Sequence, residues 1–147
     1  MPSRRTFLKH SCLLCSGLTT AVLTQLTSCA STLPVYNLKF SGNTLTVPVI
    51  NFEESDMAIV RDAQAAYDIL LVRQSPLQYD AIYMRCTHGS YAVGTTNDGI
   101  ACPAHGSIFD YDGTVRTGPA TEPLLRFPTE LDNNNGIVTI NIQALKI

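Results

Sequence analysis

From residue 33 onward, apolar and polar positions divide the chain into short runs separated by turn residues. Residues 33–40 are mainly apolar, Ser41-Gly42-Asn43 interrupts them, and in residues 44–50 β-branched positions alternate with others, which predicts a hairpin. Further apolar runs lie at 57–60, 69–72 and 81–84, each bounded by Asp, Gln, Ser, Pro or Gly, with another at 124–127. Residues 136–142 alternate cleanly, and the stretch Leu131-Asp132-Asn133-Asn134-Asn135-Gly136 before them is a strong turn signal. The one helical pattern, at 60–67 around Arg61-Asp62-Ala63-Gln64-Ala65-Ala66, amounts to one or two turns. Short strands at these spacings predict an all-β domain. No internal repeat, low-complexity tract or shift of composition marks a second one.

The first 28 residues follow another pattern. Ser3-Arg4-Arg5-Thr6-Phe7-Leu8-Lys9 is basic, and a weakly apolar stretch at 11–26 follows it. That is the layout of an export signal. The stretch has 16 residues and includes Ser, Thr and Gln, whereas a membrane span needs about 20 predominantly apolar ones. The arginine pair with Phe7, Leu8 and Lys9 resembles the twin-arginine signal, S-R-R-x-F-L-K, at every specified position, and such a signal is an address read by a receptor. Leu26-Thr27-Ser28-Cys29 is similar to a bacterial lipobox. The resemblance implies cleavage before Cys29 and a diacylglyceryl group on its thiol, two acyl chains giving a stable tether where one does not. The alternative is cleavage near Ala30 or Ser31, with Cys29 discarded. The organisation expected is a signal peptide at 1–28, a lipid tether at 29–38 and one folded domain at 39–147.

Composition narrows the class. The chain has 147 residues, 45% apolar and 15% charged, with nine Gly and eight Pro, so it is neither a disordered polyampholyte nor a coiled coil but a compact, turn-rich body. Its net charge is −2, and loss of Arg4, Arg5 and Lys9 with the signal brings it to −5. No basic stripe follows the first nine residues, which excludes nucleic-acid binding by phosphate neutralisation. Removal of the signal also takes Cys12, Cys15 and His10. Cys29, Cys86, Cys102, His88 and His105 remain, and with Cys29 acylated only two free thiols and two imidazoles survive.

Those four side chains carry the candidate chemistry. Cys86-Thr87-His88 and Cys102-Pro103-Ala104-His105 place one thiol and one imidazole in each of two short loops, separated by residues 89–101. The donor set suits tetrahedral zinc, or a 2Fe–2S cluster with two sulfur and two nitrogen protein ligands. Zinc sites of this stoichiometry usually group sulfurs in one hairpin and histidines on one helix. Here each loop is mixed, which suits a centre with one iron on sulfur and the other on nitrogen. A Cys86–Cys102 disulfide is a further alternative in an exported protein, but leaves both histidines unexplained. With both histidines engaged, Ser107 has none to activate it, so a hydrolase triad is excluded, and no Gly-rich phosphate loop is present. Asp98, Asp110 and Asp112 lie in Gly-containing loops and read as turn carboxylates.

The spacing C-x-H, then C-x-x-H, resembles the Rieske iron–sulfur family. Cys102-Pro103-Ala104-His105-Gly106-Ser107-Ile108-Phe109-Asp110, with Asp112-Gly113 after it, is similar to that family's second cluster-binding loop, and Gly118-Pro119-Ala120 to its third, proline-bearing loop. The resemblance spans about residues 80–127. It implies stacked small antiparallel sheets with a cluster-binding loop subdomain at about 84–120, and a Rieske 2Fe–2S cluster as cofactor. It also implies Cys86 and Cys102 as ligands of the inner iron, His88 and His105 as ligands of the outer one, and Ser107 as a hydrogen-bond donor to a bridging sulfide. Quinol-oxidising members carry an additional cysteine in each loop, paired as a brace; Tyr91 and Ala104 stand there instead. High-potential members have a tyrosine where Phe109 stands, and phenylalanine cannot donate. Each lost donor destabilises the more negative reduced state, as does an acidic protein. Within the roughly −150 to +300 mV range of such centres, the expected potential lies below the quinol-oxidising group.

These features imply an exported, lipid-anchored, periplasmic protein carrying single electrons. Its partner would be a redox protein such as a small c-type cytochrome, attracted by the acidic surface, or a membrane oxidoreductase subunit. Two other readings are a small Rieske subunit of a heteromeric quinol- or arsenite-oxidase-like enzyme, and a zinc-stabilised binding lipoprotein.

Overall fold

The computed structural model describes residues 33–143. Its strands are β1 (Val35–Asn37), β2 (Thr44–Pro48), β3 (Met57–Arg61), β4 (Ile69–Ser75), β5 (Gln78–Tyr83), β6 (Gly94–Thr95), β7 (Ile100–Ala101), β8 (Ile108–Phe109), β9 (Val115–Thr117), β10 (Arg126–Phe127), β11 (Thr129–Asp132) and β12 (Ile137–Asn141). They form a five-stranded sheet ordered β1-β3-β4-β5-β10, a three-stranded sheet β11-β12-β2 and a four-stranded sheet β6-β7-β8-β9. All pairings are antiparallel except β1 with β3. The all-β expectation, with several small antiparallel sheets, is met.

The run Ile69-Leu70-Leu71-Val72 does not alternate, because both faces of its sheet are covered. Ile69 and Leu71 of β4, with Tyr79, Ala81 and Tyr83 of β5, pack into one core with Leu45, Val47, Val138 and Ile140 of the three-stranded sheet. The intervening residues Leu70, Val72 and Ile82, with Met84 just beyond β5, enter a second core with Ile100, Phe109, Cys86 and Cys102. The five-stranded sheet is thus the middle layer, and its second face carries the loops of interest.

The expected hairpin of residues 33–40 with 44–50 does not form. β2 pairs with β12, setting Leu45 opposite Ile140 and Val47 opposite Val138, so buried apolar side chains meet across the ladder. β1 instead runs parallel to β3 as an edge strand, and only the bridge Ser41↔Thr44 closes the turn between β1 and β2. Pairing therefore begins at Val35, inside the segment expected as tether. The short helix expected at 60–67 is also absent. Val60 and Arg61 are held by ladders to Ile69 and Asn37, and Asp62 then accepts the N–H groups of Phe40 (2.7 Å) and Gln64 (2.6 Å), fixing a turn. Among the described residues the sole helical element is a 3-10 turn at Val49–Phe52. β11 extends through Asp132 into the stretch read as turn, leaving the reversal to 133–136. Residues 1–28, expected as a signal, and Cys29 lie outside the described residues.

Candidate metal centre

The four-stranded sheet and β5 present two loops side by side. The first, residues 86–91, leaves β5 and is closed at its base by the bridge Arg85↔Ala92; the second, residues 102–107, joins β7 to β8. Their backbones close alike. Cys86 N–H donates to the Tyr91 carbonyl (2.8 Å) and Ser90 N–H to the Cys86 carbonyl (2.9 Å); Cys102 N–H donates to the Ser107 carbonyl (2.8 Å) and Gly106 N–H to the Cys102 carbonyl (3.1 Å). In both, the fourth residue after cysteine has positive φ, 57° at Ser90 and 78° at Gly106. Glycine adopts this conformation without strain, whereas serine does so at a cost.

This geometry sorts the donors by depth. Cys86 and Cys102 are buried and neither is in a disulfide, so the disulfide alternative is not what the fold builds. His88 and His105 are exposed at the loop tips, their rings edge-to-face with centroids 5.0 Å apart. Among the described residues no three His, Cys, Asp or Glu side chains converge on one ion position. A tetrahedral ion needs all its ligands within about 2.0–2.3 Å of one point. A sulfur pair inside and a nitrogen pair outside fit a binuclear centre better than one zinc.

Electrostatics favour the ligating form of Cys102. Burial pushes the Cys102 thiol up, but the backbone N–H groups of Ala104 and His105 and the S–H of the neighbouring Cys86, all donating to its sulfur, favour the thiolate and together hold it below its ordinary value. Ser107, with no solvent exposure, closes the second loop. Its hydroxyl oxygen accepts the Ala120 N–H (3.0 Å), tying this loop to the segment Gly118-Pro119-Ala120 and leaving the hydroxyl proton available to donate. Phe109 is fully buried in the same core.

Several supports have no signal in the sequence. Tyr67 donates from its hydroxyl to the Ser90 carbonyl, Arg85 to Ser90 Oγ (2.6 Å), and Thr87 Oγ1 to the Glu122 carbonyl (2.7 Å). Those from Tyr67 and Thr87 fasten the first loop across 23 and 35 residues, which a local pattern does not encode. The aspartates act as turn residues: Arg116 pairs with Asp98 and Asp110, and Asp112 accepts the N–H and hydroxyl of Thr114 (2.9 and 2.7 Å).

The model of the Rieske [2Fe-2S] domain family matches residues 39–128. Over 88 residues the chain is 35% identical to the "Ubiquinol-cytochrome c reductase iron-sulfur subunit" of Blastochloris viridis, covering 58% of this chain and 48% of that protein. The chain therefore spans about half the length of that relative. Its fold is similar to that of the cyanobacterial plasma membrane Rieske protein PetC3 from Synechocystis PCC 6803, with a TM-score of 0.54 and 21% identity over 66% of this chain and 98% of that one.

Proposed function

Because the chain belongs to the Rieske [2Fe-2S] domain family and its cofactor is a Rieske-type cluster, we propose that it carries single electrons in a membrane-associated or periplasmic redox chain. The observation that carries this reading is the buried thiol pair beneath an exposed imidazole pair, on two loops with the same closure. When bound, the cluster supplies reversible one-electron chemistry. The protein's part is to hold it: Cys86 and Cys102 would hold it on the buried side and His88 and His105 on the exposed side. Leu124, Ala120, Ile100 and Phe109 exclude water from the sulfur side, since all are buried in the core that contains both cysteines. Ser107 has a hydroxyl proton free to donate to the cluster, and the exposed His88 and His105 would face a partner.

The test is single replacement of each donor. Cys86→Ala, Cys102→Ala, His88→Ala and His105→Ala should each fold but bind no iron–sulfur cluster; a variant that keeps a full complement of iron and sulfide contradicts the assignment. Removal of the signal gives a net charge of −5, which suits a basic partner such as a small c-type cytochrome. Association with it should slow as ionic strength rises, and a rate indifferent to salt counts against that partner.

Export by the twin-arginine route and anchoring through Cys29 belong to the same proposal. Among the described residues no helix is long and apolar enough to cross a membrane. Cys29→Ala should release the protein from membranes, and replacement of Arg4 and Arg5 by lysine should block export. Retention of Cys29→Ala in washed membranes contradicts lipid anchoring. A second reading, permanent subunit of a larger oxidoreductase, is favoured by the relative's being an iron-sulfur subunit. Co-purification with stoichiometric partners from gently solubilised membranes would decide for it.

A further inference from the structure

Each loop ends in the residue whose carbonyl accepts the N–H of its own cysteine, Tyr91 in the first and Ser107 in the second. Both backbones are therefore fixed at equivalent points, yet the side chains go opposite ways. Ser107 is fully buried, while Tyr91 is 51% exposed. The Tyr91 ring does not simply extend into solvent. It lies edge-to-face against His105 of the second loop, centroids 5.7 Å apart and planes at 77°. It also covers Gly89 so closely that a Cβ there would meet its Cε2 at 3.0 Å and Cδ2 at 3.1 Å.

The first loop is built to hold that ring in place. Ser90 has a φ of 57°, in the left-handed region, and Tyr67 and Arg85 pin Ser90 through its carbonyl and hydroxyl. Gly89 leaves space beneath the ring. His105 thus makes two edge-to-face contacts, with His88 and with Tyr91, whose ring planes lie at 89° and 77° to its own. A ligand bond would fix one nitrogen of an exposed imidazole but leave the tilt of its ring to the side chains around it. Among the described residues the Tyr91 hydroxyl takes part in no hydrogen bond, so the contact depends on the ring alone.

We propose that Tyr91 is a positioning residue: seated on Gly89, its ring fixes the orientation of the His105 imidazole and couples the first loop to the second. The inference rests on His105 as a cluster ligand, and the experiment separates the two claims. Pulsed electron paramagnetic resonance of the reduced, cluster-loaded protein reads the hyperfine coupling of each ligating nitrogen, which depends on the orientation of its ring. The wild type should show two strongly coupled nitrogens; a spectrum without them overturns the ligand assignment itself. In Tyr91→Ala one coupling should shift and broaden while the other stays, and Tyr91→Phe should restore the wild-type pair. Gly89→Ala should produce the same one-sided shift with the tyrosine present, because the added methyl displaces the half-exposed ring while resting at ordinary contact, 3.9 Å, from His105 Nδ1. Two wild-type couplings that are unmoved in Tyr91→Ala overturn the proposal and leave the ligands standing. If Tyr91→Ala binds no cluster, unchanged couplings in Gly89→Ala overturn it equally.

Discussion

Ser107 offers its hydroxyl oxygen to the Ala120 N–H, which leaves its own proton free to donate, so under the proposed function one buried side chain serves two purposes. Ser107→Ala should accordingly have two effects. Stability should fall by about 1–3 kcal/mol, because the Ala120 N–H loses its acceptor inside the protein. The reduction potential should fall as well, since one donor that favours the reduced, more negative state is gone. Denaturant titration and protein-film voltammetry measure the two separately, and a potential unchanged in a destabilised variant would confine Ser107 to bracing the loop. At this scale the sequence was most legible where chemistry is scarce: two thiols and two imidazoles among residues 33–143 left few places for a metal centre. It was least legible at Ser90, where positive φ falls on a residue type that does not announce it, and at Tyr67 and Arg85, whose partners follow from the fold.

The strands that frame the loops are very short, so their turns and close approaches have to be right. Gly99 precedes β7, and a Cβ there would sit 2.5 Å from the Phe109 carbonyl oxygen and 3.3 Å from Arg116 Nη2. Backbone cannot yield as a side-chain tip can. Gly99→Ala should push β7 from β8, where Ile100 pairs with Phe109, at a cost of about 1–3 kcal/mol measured by thermal or denaturant unfolding. A variant of wild-type stability would show that the two strands adjust freely. The β8–β9 turn makes a pH-dependent prediction. The Thr114 N–H and then the Thr114 hydroxyl hold the Asp112 carboxyl below its usual range. A depressed folded-state pKa means that this stabilisation is complete above about pH 4, the unfolded value, and is lost as pH falls through the lower folded one. Asp112 is partly exposed, so the effect is local: Thr114 amide protection should decline only below about pH 4, and a decline already under way at neutrality contradicts it. Element types were readable from alternation at β12 and from the apolar run at β4. Partners were not, since β2 has apolar residues that suit several neighbours and only the assembled core selects β12.

Across the whole described unit, the five-stranded sheet belongs to both cores at once. Leu71 faces the three-stranded sheet and Leu70 the side that holds both cysteines. Leu70→Ala and Leu71→Ala should each cost about 2–5 kcal/mol, and each should move a single unfolding transition of the cluster-free protein. Two separable transitions would mean that the cluster side folds independently of the sheet beneath it. The run 69–72 hinted at this double burial, because a strand covered on both faces does not alternate. The central claim is that this layered body holds a mixed sulfur–nitrogen iron–sulfur centre for one-electron transfer. Its most direct test is electron paramagnetic resonance on the dithionite-reduced protein, with iron and acid-labile sulfide determined on the same sample. Two irons and two sulfides per chain with a rhombic signal of average g below the free-electron value is the predicted result. A silent spectrum with one zinc per chain would contradict it, and would make Cys86, His88, Cys102 and His105 a structural staple.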